Sequence, residues 1–241
     1  MTPSATPRLD CLAIAAHPDD GEISAGGTLL TLAHAGQSIG IVDLTRGEAG
    51  TRGDEATRAA ETAAATEKLG LALRHNLDLP DGRVVPTVEA REELALLIRR
   101  HRPRLILAHH TEDLHPDHAA AGTLARQAWY LAGLGKLGRQ DAPPAHRPEC
   151  IMHFMSHERF EPTLVVDIGP VWEEKLDLIR CFASQLRPET TTDTGEHFLF
   201  GADILERVET KARFWGERIG ARYGEPLLHR GPLPAGELLL G

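Results

Sequence analysis

The 241-residue chain is predicted to fold as an α/β domain, a mostly parallel sheet flanked by helices on both faces. Three observations predict this. Apolar runs of strand length alternate with stretches of helical length, the pattern of parallel strands joined by crossover helices. The length suits one α/β domain, and a hydrophobic content of 41% suffices for one buried core. No internal repeat, low-complexity tract or clear linker divides the sequence, so 1–241 is read as one domain behind a disordered tail at 1–8.

The elements follow in order. Residues 9–16 (LDCLAIAA) form a short apolar run, then comes HPDDGE, then a helical stretch over 23–35. A second strand spans 38–45, followed by the glycine-rich loop RGEAGTRGDE. The alanine-rich stretch 56–69 is built of helix formers and stops at Gly70, a suitable C-cap. The third strand, 71–79, ends in a Pro-Asp-Gly turn. Residues 88–101 are amphipathic, with Leu94, Leu97 and Ile98 on one face and the arginines pointing away. A fourth strand at 105–108 leads into HHTEDLHPDH and a helix over 117–131. Residues 133–148, rich in Gly and Pro, read as an exposed loop. Strands at 151–155 and 163–168 and a helix at 171–182 come next. A polar loop and a helical stretch over 197–223, in one piece or broken near Gly201, precede a punctuated end.

Composition narrows the function. With 26 Lys and Arg against 35 Asp and Glu the formal charge is −9, which speaks against a general nucleic-acid or membrane-surface binder. No apolar run approaches a membrane span, and the amino end lacks the apolar core of a secretory signal. Cys11, Cys150 and Cys181 are widely spaced without a CxxC pair. That excludes a disulfide scaffold or thiolate zinc knuckle and fits a reducing cytoplasm, with the thiols acting as small hydrophobes. Histidine, at 13 residues, is the unusual item, and His109, His110, His115 and His118 crowd one short stretch.

Two polar motifs end strands of the same sheet. The first strand ends in His17-Pro18-Asp19-Asp20, and the fourth leads to His115-Pro116-Asp117-His118. Open α/β sheets bind ligands beyond the carboxyl ends of their strands, where strand order reverses. In a sheet of order 3-2-1-4-5, strands one and four are neighbours at that crevice, so the topology brings the motifs together. Either motif alone could be a turn, and Asp117 could be an N-cap. Together they supply a metal-hydrolase inventory. A catalytic zinc takes three N/O ligands and keeps one open position. The surplus groups can act as base, acid or oxyanion support. Which of Asp19 and Asp20 would bind metal is open at this point. No GxGxxG follows the first strand, which speaks against a dinucleotide site.

These residues resemble the LmbE/PIG-L family of zinc-dependent N-acetylglucosamine deacetylases, whose fold is Rossmann-like. AHPDDGEISAGGTL (16–29) is similar to its amino-terminal signature and HPDH (115–118) to its second motif. The stretches DLTRGEAGTRGDEATRAAETAAATEKLG (43–70), SHERFEPTLVVDIG (156–169), SQL (184–186) and RFWGERIGARYGEPL (213–227) resemble deacetylases of bacillithiol biosynthesis, and the likeness runs over about 9–233. The resemblance implies metal ligation by His17, Asp20 and His118, with Zn2+ or alternatively Fe2+. It implies Asp19 as general base, His115 as oxyanion support and acid, and Asp117 as the group orienting His115. It implies substrate contact by Arg52 and a homo-oligomer, with a hexamer favoured. The implied reaction removes acetate from N-acetylglucosaminyl malate. The alternatives are deacetylation of another N-acetylglucosamine conjugate or chitin fragment, and a non-catalytic sugar-binding module. A metal phosphoesterase is the weaker rival. One departure stands out. Some relatives place a tyrosine over the site, but between Asp193 and Phe214 this chain has Phe198 and Phe200 and no Tyr.

Further candidates have blander readings beside them. Arg52 could be a solvated loop arginine, or it could grip the carboxylates of a malate aglycone. Arg58 could pair with Glu61 on its helix or reach the substrate. Glu22 suits a helix start electrostatically and could instead contact a substrate hydroxyl. One of His109 and His110 is expected to line the pocket, and Phe214, Trp215 and Ile219 to serve core or subunit interface.

Overall fold

Period-two alternation in the strands sets the layers. In β1 (Cys11–Ala15), Cys11 and Ala13 face one core while Leu12 and Ile14 face another. In β2 (Ile39–Asp43), Ile39 and Ile41 join the first core and Val42 the second. The remaining strands are β3 (Leu73–Asn76), β4 (Leu105–His109), β5 (Cys150–Phe154), β6 (Leu164–Asp167) and β7 (Gly224–His229). They form one sheet of order β3-β2-β1-β4-β5-β7-β6. The computed structural model describes residues 6–50, 54–137, 142–186 and 204–232.

Strands β1 to β5 run parallel, in the order expected from strand counting. Sheet order reverses between β1 and β4, so the crevice at their carboxyl ends is the natural ligand position. One face is covered by α1 (Asp20–His34), α2 (Glu55–Leu69), α5 (Trp172–Ile179) and α7 (Ile204–Glu217). The other is covered by α3 (Val88–His101) and α4 (Pro116–Ala132). A short α6 (Ala183–Leu186) follows α5. Fully buried Leu29, Leu94, Ile98 and Ile106 anchor the two cores, each stabilising the fold by about 1.5–3 kcal/mol. The caps act where the residue types suggest. Asp54 accepts from Thr57 N–H at 2.7 Å, and Gly70 closes α2 at φ 64°.

Three expectations need correction. The helical stretch expected to reach residue 223 ends at Glu217, and a strand, β7, follows it. Gly220 at φ 73° breaks the helix. Pro226 disguises the strand, because proline cannot donate to a ladder. It is tolerated because β5 pairs only with residues 227–229, leaving one edge of β7 free at Pro226. The arginines of α3 do not all point away. Arg99 is buried, and its guanidinium donates to the Ala132 carbonyl at 2.9 Å and to those of Leu134 and Leu137, closing the end of α4. Helix α1 begins at Asp20, three residues before the expected start at Ile23. Phe214 and Ile219 are partly exposed while Trp215 is buried. Among the described residues, no helix is long and apolar enough to cross a membrane.

Candidate active site

The HPDD motif forms the turn from β1 into α1. The His17 N–H donates to Asp20 Oδ2 at 2.8 Å, folding the Asp20 carboxylate back over the turn. Asp19 lies at φ 113°, ψ −30°, outside the regions open to ordinary residues. Such a conformation costs about 1–3 kcal/mol and persists only where the surroundings impose it.

The HPDH motif opens α4, with His115 as N-cap, Pro116 in the first turn, and Asp117 and His118 following. Gly122 brings this helix against the end of β4. A Cβ at Gly122 would lie 2.5 Å from the His109 carbonyl oxygen, so only glycine allows the approach. Register between β1 and β4 then sets the motifs face to face.

At the centre, Asp20 bridges two imidazoles. Its Oδ2 is 3.1 Å from His17 Nδ1, and its Oδ1 is 3.2 Å from His118 Nε2. The far nitrogen of each ring also meets carboxylate. His17 Nε2 lies 3.0 Å from Asp81 Oδ1 and 3.4 Å from Asp117 Oδ2, and His118 Nδ1 lies 3.1 Å from Asp113 Oδ1. If each outer nitrogen carries the proton, the inner lone pairs point at the Asp20 oxygens with nothing positive between them. The donor set therefore calls for a cation. Three N/O donors within 4.8 Å of one another fit a divalent metal, and the outer carboxylates fit the partners that orient metal-binding histidines.

The proton is the cation when no metal competes. Burial opposes charge on His17, yet Asp20, Asp117 and Asp81 outweigh it and push its pKa up to about 12. Burial likewise opposes charge on His118, but Asp20 and Asp113 raise it to about 9. Asp20 is held well below its usual range because His118, His109 and His17 outweigh its burial.

Asp19 behaves in the opposite way. Burial and the neighbouring Asp20 push it up to about 7, against the pull of Arg58 and His17. A carboxylate poised near neutrality suits proton abstraction. His115 accepts a hydrogen bond from the Asp117 backbone N–H at its Nδ1 (3.2 Å). That assigns the neutral ring's proton to Nε2. Burial, His118 and His17 keep its pKa low, so the ring is a neutral donor. It packs edge-on to His17 and stacks on His118, with centroids 4.9 and 4.7 Å apart.

Several expectations are relocated. The carboxylate of Asp117 was expected to orient His115, but the backbone does so. The carboxylate accepts from Gly82 N–H (2.7 Å) and Val84 N–H (3.1 Å), and it faces His17. Glu22 is fully buried beneath α1, with Oε1 2.5 Å from Arg74, so it is not placed to meet a substrate hydroxyl. Arg58 does not pair with Glu61, which accepts from Ser184 instead. Its guanidinium donates to the Pro18 carbonyl at 2.9 Å and lies 3.5 Å from Asp19. His109 is buried at the site, accepting from Ala16 N–H at 3.2 Å, with Nδ1 3.0 Å from Ser156. His110 turns to the Glu112 carbonyl and Arg230. Arg52, Phe198 and Phe200 lie outside the described residues.

Sequence reasoning missed Asp81, Asp113 and His157. Asp113 accepts at Oδ1 from the His115 N–H (3.0 Å) and meets the rings of His118 and His157 there. His157 stacks on His118 with centroids 4.9 Å apart. The available signal was position, since each follows the carboxyl end of β3, β4 or β5, the rim where ligands bind. A separate cavity of about 590 Å3 opens between α2 and β3, lined by Arg46, Thr62, Arg74 and Asn76. It meets the motifs through Pro18 and Arg58 and is not where the six motif residues converge.

A family described as "PIG-L: GlcNAc-PI de-N-acetylase" matches residues 12–129, which span both motifs. The diacetylchitobiose deacetylase of Thermococcus kodakarensis is 33% identical over 224 residues, covering 89% of this chain and 80% of that protein. Among solved structures, a conserved protein from Thermus thermophilus superimposes with a TM-score of 0.84 at 37% identity, over 94% of this chain and 96% of the other. The N,N'-diacetylchitobiose deacetylase of Pyrococcus horikoshii superimposes with a TM-score of 0.78 at 27% identity, over 95% and 88%.

Proposed function

The chain belongs to the PIG-L family of deacetylases, and from that premise we propose that it hydrolyses the N-acetyl amide of a small glucosamine-containing molecule. The observation that carries this reading is the triplet His17, Asp20 and His118 with Asp19 beside it and His115 stacked across it. Those three residues would hold the metal, with Zn2+ favoured and Fe2+ the alternative. When bound there, such an ion polarises an amide carbonyl and acidifies water. Asp19 takes the proton from the attacking water. His115, donating through Nε2, steadies the oxygen on which negative charge develops, and the proton taken up by Asp19 passes to the departing amine as the C–N bond breaks. Asp113 and Asp81 keep the two imidazoles in the tautomer that leaves their inner lone pairs free.

The aglycone has two readings. Resemblance of 43–70 to bacillithiol-pathway enzymes, with Arg52 in that stretch, favours N-acetylglucosaminyl malate. The relatives from Thermococcus and Pyrococcus, named for diacetylchitobiose, favour a chitin fragment. The test is acetate release from N-acetylglucosaminyl malate, N,N'-diacetylchitobiose and free N-acetylglucosamine by metal-reconstituted protein. Release that chelator abolishes is expected from at least one conjugate. A preference for the malate conjugate that Arg52→Ala removes supports the first reading. Preference for the disaccharide supports the second, and no release from any of the three contradicts the proposal. The cytoplasmic setting and homo-oligomer implied by resemblance belong to the same proposal, and light scattering tests the assembly.

A further inference from the structure

Helix α7 sends an ammonium group to the carboxyl end of β5. Lys211 Nζ donates to the Ser156 carbonyl at 2.7 Å and to the Met155 carbonyl at 3.1 Å, in the segment that leaves the strand. Burial, with Lys175 and Arg207 nearby, pulls its pKa down to about 8, while Asp113 and Glu225 act the other way, so it is charged at neutral pH. What it holds is tied to the site on two sides. The Ser156 carbonyl and the His157 N–H belong to one trans peptide and point opposite ways. On the side away from Lys211, that N–H donates to Asp113 Oδ2 at 3.0 Å, and Asp113 Oδ1 lies 3.1 Å from His118 Nδ1. A cation on the carbonyl oxygen polarises the peptide and strengthens the hydrogen bond that its N–H makes. The second tie runs through the side chain of Ser156. Its Oγ lies 3.0 Å from His109 Nδ1, and His109 Nε2 lies 3.2 Å from Asp20 Oδ2. Two of the three candidate metal ligands, His118 and Asp20, are therefore braced through one short segment whose backbone is fixed from α7.

We propose that Lys211 is a positioning residue of the metal site: its ammonium pins the Ser156–His157 peptide, which holds Asp113 against His118 and His109 against Asp20. The proposal rests on the reading of His17, Asp20 and His118 as metal ligands. A cation present for folding alone would behave differently. Removing it relieves the cost of enclosing a charge and orphans two carbonyls, so its effect on folding has no fixed sign. Loosening the outer partners of His118 and Asp20 has one sign, weaker metal binding.

The experiment compares wild type with Lys211→Met, which keeps an unbranched side chain and removes the donors. Zn2+ affinity is measured by competition with a chromophoric chelator, and the visible spectrum is recorded on the Co2+-loaded proteins. Both are taken at a temperature where the metal-free proteins are folded. The expected result is Zn2+ affinity weaker by about tenfold and a changed Co2+ absorption band, whichever way the melting temperature moves. Wild-type affinity and spectrum in Lys211→Met would leave Lys211 a structural cation and overturn the proposal. If Lys211→Met does not fold, Lys211→Gln keeps a neutral donor and loses the charge. It should weaken Zn2+ by about threefold, and wild-type affinity would overturn the proposal. If the wild type binds no Zn2+, the metal reading fails by itself, and amide hydrogen exchange then decides the positioning. Faster exchange at His157 in the variant supports it, and unchanged exchange overturns it.

Discussion

Replacing Asp113 by Asn removes one charge and almost no volume, which makes it a sharp probe of the site. The buried carboxylate holds His118 Nδ1 at 3.1 Å, His157 Nδ1 at 3.0 Å and the backbone N–H groups of His115 and His157 at 3.0 Å. Its pKa is held far below the usual range because His118 and His157 outweigh its burial, so it accepts at both oxygens. An amide accepts at one. With the carbonyl toward His118, the new NH2 confronts the His157 N–H. With the amide flipped, His118 must accept at Nδ1 and carry its proton on Nε2, where the metal would bind. Loss of such an outer partner typically weakens metal binding by about 10–100-fold, or roughly 1.4–2.7 kcal/mol. Competition with a chromophoric chelator measures this directly, alongside thermal unfolding of the metal-free protein to register structural damage. Affinity within about threefold of wild type would refute the argument that His118 needs this carboxylate.

Three more outcomes follow from named contacts. In the metal-free protein His17 and His118 titrate at about 12 and about 9, so both are charged at pH 8. Bound histidine is neutral, so the metal-loaded state holds fewer protons and rising pH favours it. Calorimetry in buffers of different ionisation enthalpy should count about two protons released at pH 8, falling toward about one above pH 9, and no release would contradict the ligand assignment. Glu225 is buried against Lys175 Nζ at 2.5 Å and accepts from Gly27 N–H at 2.8 Å and Thr28 N–H at 2.7 Å. Glu225→Gln leaves Lys175 charged and unpaired and should cost about 3–5 kcal/mol in urea unfolding, with a loss under about 1 kcal/mol contradicting it. Gly122→Ala drives a Cβ to 2.5 Å from a backbone oxygen. It should cost about 1–3 kcal/mol in thermal unfolding and weaken metal binding as α4 carries His118 away, and the reasoning fails if both stay unchanged.

The sequence made the two ends of the crevice legible, because short motifs following strands carry their own chemistry. His17, Asp20 and His118 needed only a strand count to be brought together. Asp81 looked like the middle of a Pro-Asp-Gly turn, which it also is, since the Arg83 N–H donates to the Pro80 carbonyl at 3.2 Å. Turn chemistry and site chemistry use the same residue types, so spacing could not separate them. Asp113 and His157 meet across 44 residues and two strands, a pairing fixed by β4–β5 register and invisible to local pattern. Glu22 misled for the opposite reason. A carboxylate next to HPDD invites a functional role, yet the helical turn from Asp20 carries it inward to Arg74, whose guanidinium also pairs with Asp43. Arg58 was visible as a site candidate, and the coordinates add its contacts with the Pro18 carbonyl and Asp19 and its place in the lining of the cavity beside α2.

The most direct measurement of the central claim compares metal content and turnover in Asp19→Asn, His17→Ala and His118→Ala. The account predicts that Asp19→Asn keeps near wild-type metal and loses about 10²–10⁴-fold in kcat, as expected for a missing general base. Both histidine variants should lose the metal together with activity. Equal metal loss in all three variants, or an active Asp19→Asn with metal bound, would contradict it.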